Sequence, residues 1–105
     1  MNRALQQFQE LLDAGLYYEA HEALEAFWFP KRFLDCNETR LLKGFINASV
    51  SFELHKRGRM EQSRRVWRNY LKYRPKLLHL TSKHKNAYYQ LSRHIESIAL
   101  KVFYN

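Results

Sequence analysis

Apolar residues recur at steps of three and four along most of the chain. Leu5, Phe8, Leu12 and Leu16 share one helical face, and Gly15 is suited to end that helix, so the spacing predicts a first helix over 2–13. A second, over 17–29, stops at Pro30. Beyond the turn-like "PKRFLDCNE", a third runs over 38–56 to Gly58, with Asp35 and Glu38 together, or Asn37 alone, expected to cap it. The fourth, "MEQSRRVWRNYLKYR", ends before Pro75, because the residue preceding proline disfavours helical geometry. The fifth begins near Ser82 and reaches Phe103, with Tyr88, Leu91, Ile95, Ile98 and Val102 along one side. "KLLHL" before it reads as a short helical turn, and no segment repeats at a fixed period. The pattern predicts an all-α fold: a single domain over 1–105, built as a bundle of about five helices.

The third helix stands apart. Leu41, Leu42, Phe45, Ile46, Val50, Phe52 and Leu54 surround nearly its whole circumference, which marks residues 38–56 as the central, buried helix. One stripe of it is small or polar: Arg40, Gly44, Asn47, Ala48, Ser51 and His55. Gly44 and Ala48 would let another helix come close. The polar members need partners, since a buried polar group left unpaired costs roughly 1–3 kcal/mol.

Composition narrows the class. A hydrophobic share of 46% with 15% aromatic residues indicates a packed globule, not a disordered chain. The single cysteine, Cys36, excludes an internal disulfide and suits a reducing compartment. The N-terminal stretch has no apolar signal-peptide core, and no run approaches the ~18 apolar residues of a membrane span. The expected setting is the cytoplasm, with no membrane partner. Seven Tyr, seven Phe and two Trp are many for so small a bundle, which hints at a homodimer.

Charge is unevenly placed. The net +8 divides into −4 over residues 1–38 and +12 over 39–105. The densest basic stretch, 56–76, sets nine Lys or Arg against Glu61 alone. Arg64, Arg65, Arg68, Lys72, Arg74 and Lys76 would form an anion- or nucleic-acid-binding surface, with Tyr70 or Tyr73 stacking on bases. The simpler reading is a solvated helix face whose long basic stems cover apolar neighbours.

Candidate chemistry concentrates in "YYEAHEALEAFW", residues 17–28. His21 and Glu25 lie four apart and Trp28 three further on, so the three project from one side; Glu22 and Glu25 are three apart. A His/Glu pair at that spacing is compatible with metal binding, and neighbouring carboxylates can divide acid and base roles. The string touches the zincin pattern but lacks its second His. The alternative is structural: His21 and Glu25 bonding to Arg40, Asn47 or His55 on the central helix.

The spacing Glu19-x-His21-Glu22-x-x-Glu25-x-x-Trp28 resembles the signature of a family of small, mostly prokaryotic proteins catalogued as domain of unknown function 309. "LLKGFINASVSFELHKRGR" is similar to that family's second block, with Gly44, Ala48, His55, Arg57 and Gly58 at its marked positions. The resemblance runs from about Gly15 to Tyr73. Lys43 stands where the family often has Gln, and the fourth helix is less rich in Ala and Leu than the family's. The resemblance implies a helical bundle of about five helices and weights Glu19, His21, Glu22, Glu25 and Trp28. It implies no activity.

Three functions follow as expectations. The first is a binding or interaction module for an unknown protein or small molecule. Its polar site would lie between helices two and three, formed by Glu19, His21, Glu22, Glu25, Trp28, Arg40, Asn47, Ser51 and His55. The second is a metal-dependent, hydrolase-like enzyme at that site, against which stand the lack of a nucleophile elbow, a phosphate loop or a full metal set. The third is a basic nucleic-acid-binding protein using 56–76. The sequence favours a binding module over an enzyme and implies no cofactor.

Overall fold

The computed structural model describes residues 2–104. They form α1 (Arg3–Asp13), α2 (Tyr17–Trp28), α3 (Asn37–Lys56), α4 (Met60–Tyr73) and α5 (Lys85–Phe103), with 3-10 turns at Phe29–Lys31 and Arg74–His79. The chain is an all-α bundle of five helices, as the periodicity predicts, with no strand among the described residues. The largest boundary difference is at α5. There Ser82 lies before the helix, its Oγ accepting from the His84 N–H at 3.0 Å.

Short links set the order of packing. Asn2 caps α1 by accepting from the Ala4 N–H at 2.8 Å. Gly15 and Gly58 leave α1 and α3 at φ 76° and 81°, a region that side chains with a Cβ resist. In both turns the next N–H reaches back to a carbonyl of the last helical turn: Leu16 to Leu11 and Arg59 to Leu54, each at 2.9 Å. The chain therefore reverses sharply, making α1 and α2, and then α3 and α4, antiparallel neighbours. The reversal also carries Leu16 off the face that buries Leu5, Phe8 and Leu12, so Leu16 is exposed rather than part of α1's apolar stripe.

The expected caps of α3 differ from the observed ones. Cys36 occupies the capping position without a side-chain bond to the helix's backbone N–H groups; its Sγ meets Thr39 Oγ1 at 3.2 Å instead. Asp35 pairs with Arg40, and Asn37 donates to the His79 carbonyl at 3.3 Å. Glu38 Oε2 accepts from Ser82 Oγ and from Tyr88 Oη, both at 2.7 Å. Asn37 and Glu38 thus tie the start of α3 to later segments of the chain, while Asp35 holds a side chain of α3 instead of capping its backbone.

α3 is central, as expected: Leu41, Leu42, Phe45, Ala48 and Phe52 are all fully buried, and α2, α4, α5 and the 74–79 turn pack around it. A Cβ placed on Gly44 would lie 2.9 Å from Tyr73 Cβ, so the small stripe does admit a close neighbour, and that neighbour is the end of α4. Two turns further along α3, Ser63 Oγ donates to the Ser51 carbonyl at 2.7 Å, a buried tie between the two helices. Phe45, Phe52, Trp67, Tyr70 and Phe103 form a continuous aromatic layer that α5 closes.

Candidate functional site

Three faces of α2 do different work. Ala20 and Leu24 are fully buried, and Tyr17, Phe27 and Trp28 pack against the core from the side. Tyr18, Glu19 and Glu22 face outward. His21 and Glu25 sit between these faces and bond to each other, Nε2 to Oε2 at 2.7 Å. With Nε2 engaged, His21 Nδ1 is buried without a partner, as is the Trp28 indole N–H.

The polar residues of α3 do not join this pair. Arg40 is held by Asp35. Asn47 donates to the Lys43 carbonyl at 2.7 Å and accepts from Asn69 of α4 at 3.4 Å. Ser51 Oγ donates to the Ala48 carbonyl at 2.6 Å, and His55 meets the Phe103 ring edge-on at 5.4 Å. Among the described residues, none of the expected bonds from His21 or Glu25 to Arg40, Asn47 or His55 is made. The reason is rotational: Gly44, Ala48 and Ser51 give α3 its narrow side, and α4 takes it. The expected polar site between the second and third helices is therefore not brought together: its α2 members stay side by side and its α3 members are dispersed.

What remains around the motif is a depression of about 500 Å³ on α2 itself, lined by Tyr18, His21, Glu22, Glu25, Ala26 and Phe29, with Pro30 at its end. Tyr18 and Phe29 stand as posts at either end. Glu22 and Glu25 lie between them, with the His21 ring 5.6 Å from that of Tyr18. Both posts already attract guanidinium groups of their own chain: Arg32 lies 3.5 Å from the Phe29 centroid and Arg57 5.9 Å from that of Tyr18. Arg57 is tethered by Glu53 at 2.7 Å, and Arg32 by the Phe29 carbonyl at 2.7 Å. Glu22 makes no ion pair among the described residues. Tyr18 and Phe29 were missing from the residues expected from sequence. The signal for them is their place with Glu22 and Glu25 at positions i, i+4, i+7 and i+11, one face of a helix.

Among the described residues no group of three or more His, Cys, Asp or Glu side chains converges to hold a metal ion. Nor is any helix there long and apolar enough to cross a membrane.

On α4, Arg64, Arg65, Arg68 and Lys72 are exposed, whereas Arg74 is drawn to Glu96 at 3.3 Å and Lys76 is half-buried. The tyrosines expected to stack on bases are otherwise engaged. Tyr70 is 0% exposed, its hydroxyl 2.8 Å from Ser92 Oγ and 3.0 Å from Glu96 Oε2. Tyr73 packs on Gly44. Tyr70 falls one heptad after the buried Ser63, so helical phase already places it inside. The aromatic groups beside the α4 cations are instead Trp67, Phe103 and Tyr104.

The fold and this surface define an all-helical domain with an acidic, aromatic-edged depression on its second helix. A family model described as Domain of unknown function (DUF309) matches residues 5–66, more than half of the chain, and the protein belongs to that family. The matched span takes in α1, α2, α3 and the first half of α4, so it starts before and stops short of the stretch that carried the resemblance in sequence. No curated protein matches, and no solved structure matches.

Proposed function

We propose that the protein is a binding module whose α2 depression receives a cationic group, a guanidinium or ammonium, carried by a protein partner. The observation that supports this is the placement of the Glu22 and Glu25 carboxylates between two aromatic posts. Carboxylates supply charge-assisted hydrogen bonds to such a group, and aromatic faces attract cations. His21 positions Glu25 by bonding one of its oxygens, leaving the other for a ligand.

The reading has a demanding test, because the molecule as a whole carries +8 and repels cations. Screening confines that repulsion to about 10 Å at 0.1 M salt, so binding at α2 must come from the local acids. A short arginine-rich peptide titrated into labelled protein is expected to move the backbone resonances of Tyr18, Glu22, Glu25 and Phe29. Glu22→Gln with Glu25→Gln should abolish the shifts. Shifts spread evenly over the surface, or unaffected by the double substitution, would reject the reading.

A further inference from the structure

A second concave surface lies on the far side of the central helix, between α4 and the end of α5. It consists of two adjoining hollows of about 490 and 500 Å³ that share Trp67, Phe103 and Tyr104. Its chemistry is the reverse of the α2 face. Arg64 and Arg68, one helical turn apart, line the first hollow with Met60 and Leu71; Arg93 lines the second with the exposed Leu100 and with Glu96, whose charge Arg74 meets. Arg64, Arg68 and Arg93 have no carboxylate partner among the described residues. Tyr104 stands at the junction, 80% exposed.

The chain carries the complement of this surface on itself. Tyr18 and Phe29 are 46% and 50% exposed and bracket Glu22 and Glu25 on α2. Tyr18 to Phe29 spans eleven residues, as does Met60 to Leu71 along the groove, and each is about 16 Å at the helical rise. Aromatic ends thus match apolar hollows, and the acids between them match Arg64 and Arg68. Within one molecule the two surfaces cannot meet, since α2 packs on α1 and α3 while the groove lies between α4 and α5.

We propose that the occupant of the α2 depression is Arg64 and Arg68 of a second copy of this chain, with Tyr18 and Phe29 of the first copy entering that copy's α4–α5 groove. This rests on the cation-binding reading of α2 and names its partner. The contact joins two different surfaces. It closes as a two-fold dimer when both copies engage reciprocally, and otherwise extends head to tail. Opposite fields on the two halves steer the encounter, so association weakens as salt rises.

Sedimentation velocity on the full chain tests this with two charge-reversed variants, Glu22→Arg/Glu25→Arg and Arg64→Glu/Arg68→Glu. The wild type is expected to associate at about 100 µM in low salt, and to lose at least about tenfold in affinity between roughly 50 and 500 mM salt. Each variant alone should sediment as a monomer. An equimolar mixture should recover a 1:1 complex, because the reversed charges again face their opposites. Recovery also shows that both variants are folded.

A monomeric wild type under these conditions would overturn the proposal. So would an unrestored mixture of variants that keep wild-type helicity and melting temperature, or a groove that takes up single-stranded RNA while the chain stays monomeric. If the wild type is monomeric and an arginine-rich peptide still shifts Tyr18 and Phe29, self-docking falls while the cation-binding reading stands. If the peptide also fails, both fall.

Discussion

The molecule holds two kinds of polar cluster, and they are built differently. Where α5 meets α3 and α4, every group has a partner: Glu38 with Ser82 and Tyr88, and Glu96 with Tyr70, Ser92 and Arg74. On α2, His21 and Glu25 bond only to each other, and a ring nitrogen and an indole N–H beside them go unpaired. The first kind joins segments distant in sequence. The second kind makes no bond to another helix and leaves buried polar atoms without partners. Polar residues that stitch a fold and polar residues displayed by it are therefore distinguished by whom they bond, even though their residue types are the same.

The largest effect is expected at the carboxylate that ties the start of α3 to α5 and the segment before it. Glu38→Ala strands the buried Tyr88 hydroxyl and frees Ser82, and should cost about 3 kcal/mol in urea unfolding at neutral pH. Glu38→Gln, which keeps an acceptor, should cost about 1 kcal/mol. A loss for Glu38→Ala no greater than that for Glu38→Gln would erase the distinction between the clusters.

Alkaline pH examines the same stitches. Burial first, with the hydrogen bond and negative charge of Glu38, pushes the Tyr88 hydroxyl pKa far above its ordinary 10.0. Burial also raises that of Tyr70; the Ser92 bond opposes the rise and Glu96 adds to it. Below pH 10 both hydroxyls are protonated folded and unfolded, and their contribution is intact. Above it the unfolded chain releases protons that the folded chain keeps, so stability falls with a slope that climbs towards about 2.7 kcal/mol per pH unit for the pair. Tyr70→Phe should halve that slope in urea titrations between pH 10 and 11.

Next in size is the α3–α4 seam. Gly44→Ala gains helix propensity but drives a methyl against Tyr73 Cβ, so a net loss of about 1–2 kcal/mol is expected in thermal unfolding. The smallest effect belongs to α2. His21→Ala and Glu25→Ala remove a partly exposed side-chain bond that reaches no other helix, and should each cost about 0.5 kcal/mol or less. Losses comparable to that of Glu38→Ala would move the α2 motif into the stitching class.

Much of the architecture was legible in sequence because it rests on periodicity and punctuation. Gly15 and Gly58 end helices for a local reason, and the all-round apolar surface of 38–56 has no stable place except the centre. The partners of the polar stripe were not legible. Which neighbour Gly44, Ala48 and Ser51 admit depends on how α3 is rotated, and helical phase within one element carries no information about the next. Asp35 and Asn37 look like caps by type, yet Asp35 is held by the side chain of nearby Arg40, and Asn37 by the His79 carbonyl, which only the tertiary fold brings close. Of the α2 residues, the motif gave Glu22, His21 and Glu25. The posts Tyr18 and Phe29 read as ordinary amphipathic residues until their exposure was known.

The bonds made by α5 bear on how the molecule comes together and apart. The first four helices meet by local reversals. The closures by α5 span long stretches of chain: 50 residues between Glu38 and Tyr88, and 81 between Asp13 and His94. Loops of that size must be closed before their contacts return anything, so α5 is the natural last arrival in folding. It is then also the first to leave, and its departure uncovers Phe45, Phe52 and Tyr70 together. Amide exchange in α3 is therefore expected to follow the docking of a helix that lies outside the family-matched span, since that docking keeps the aromatic layer dry.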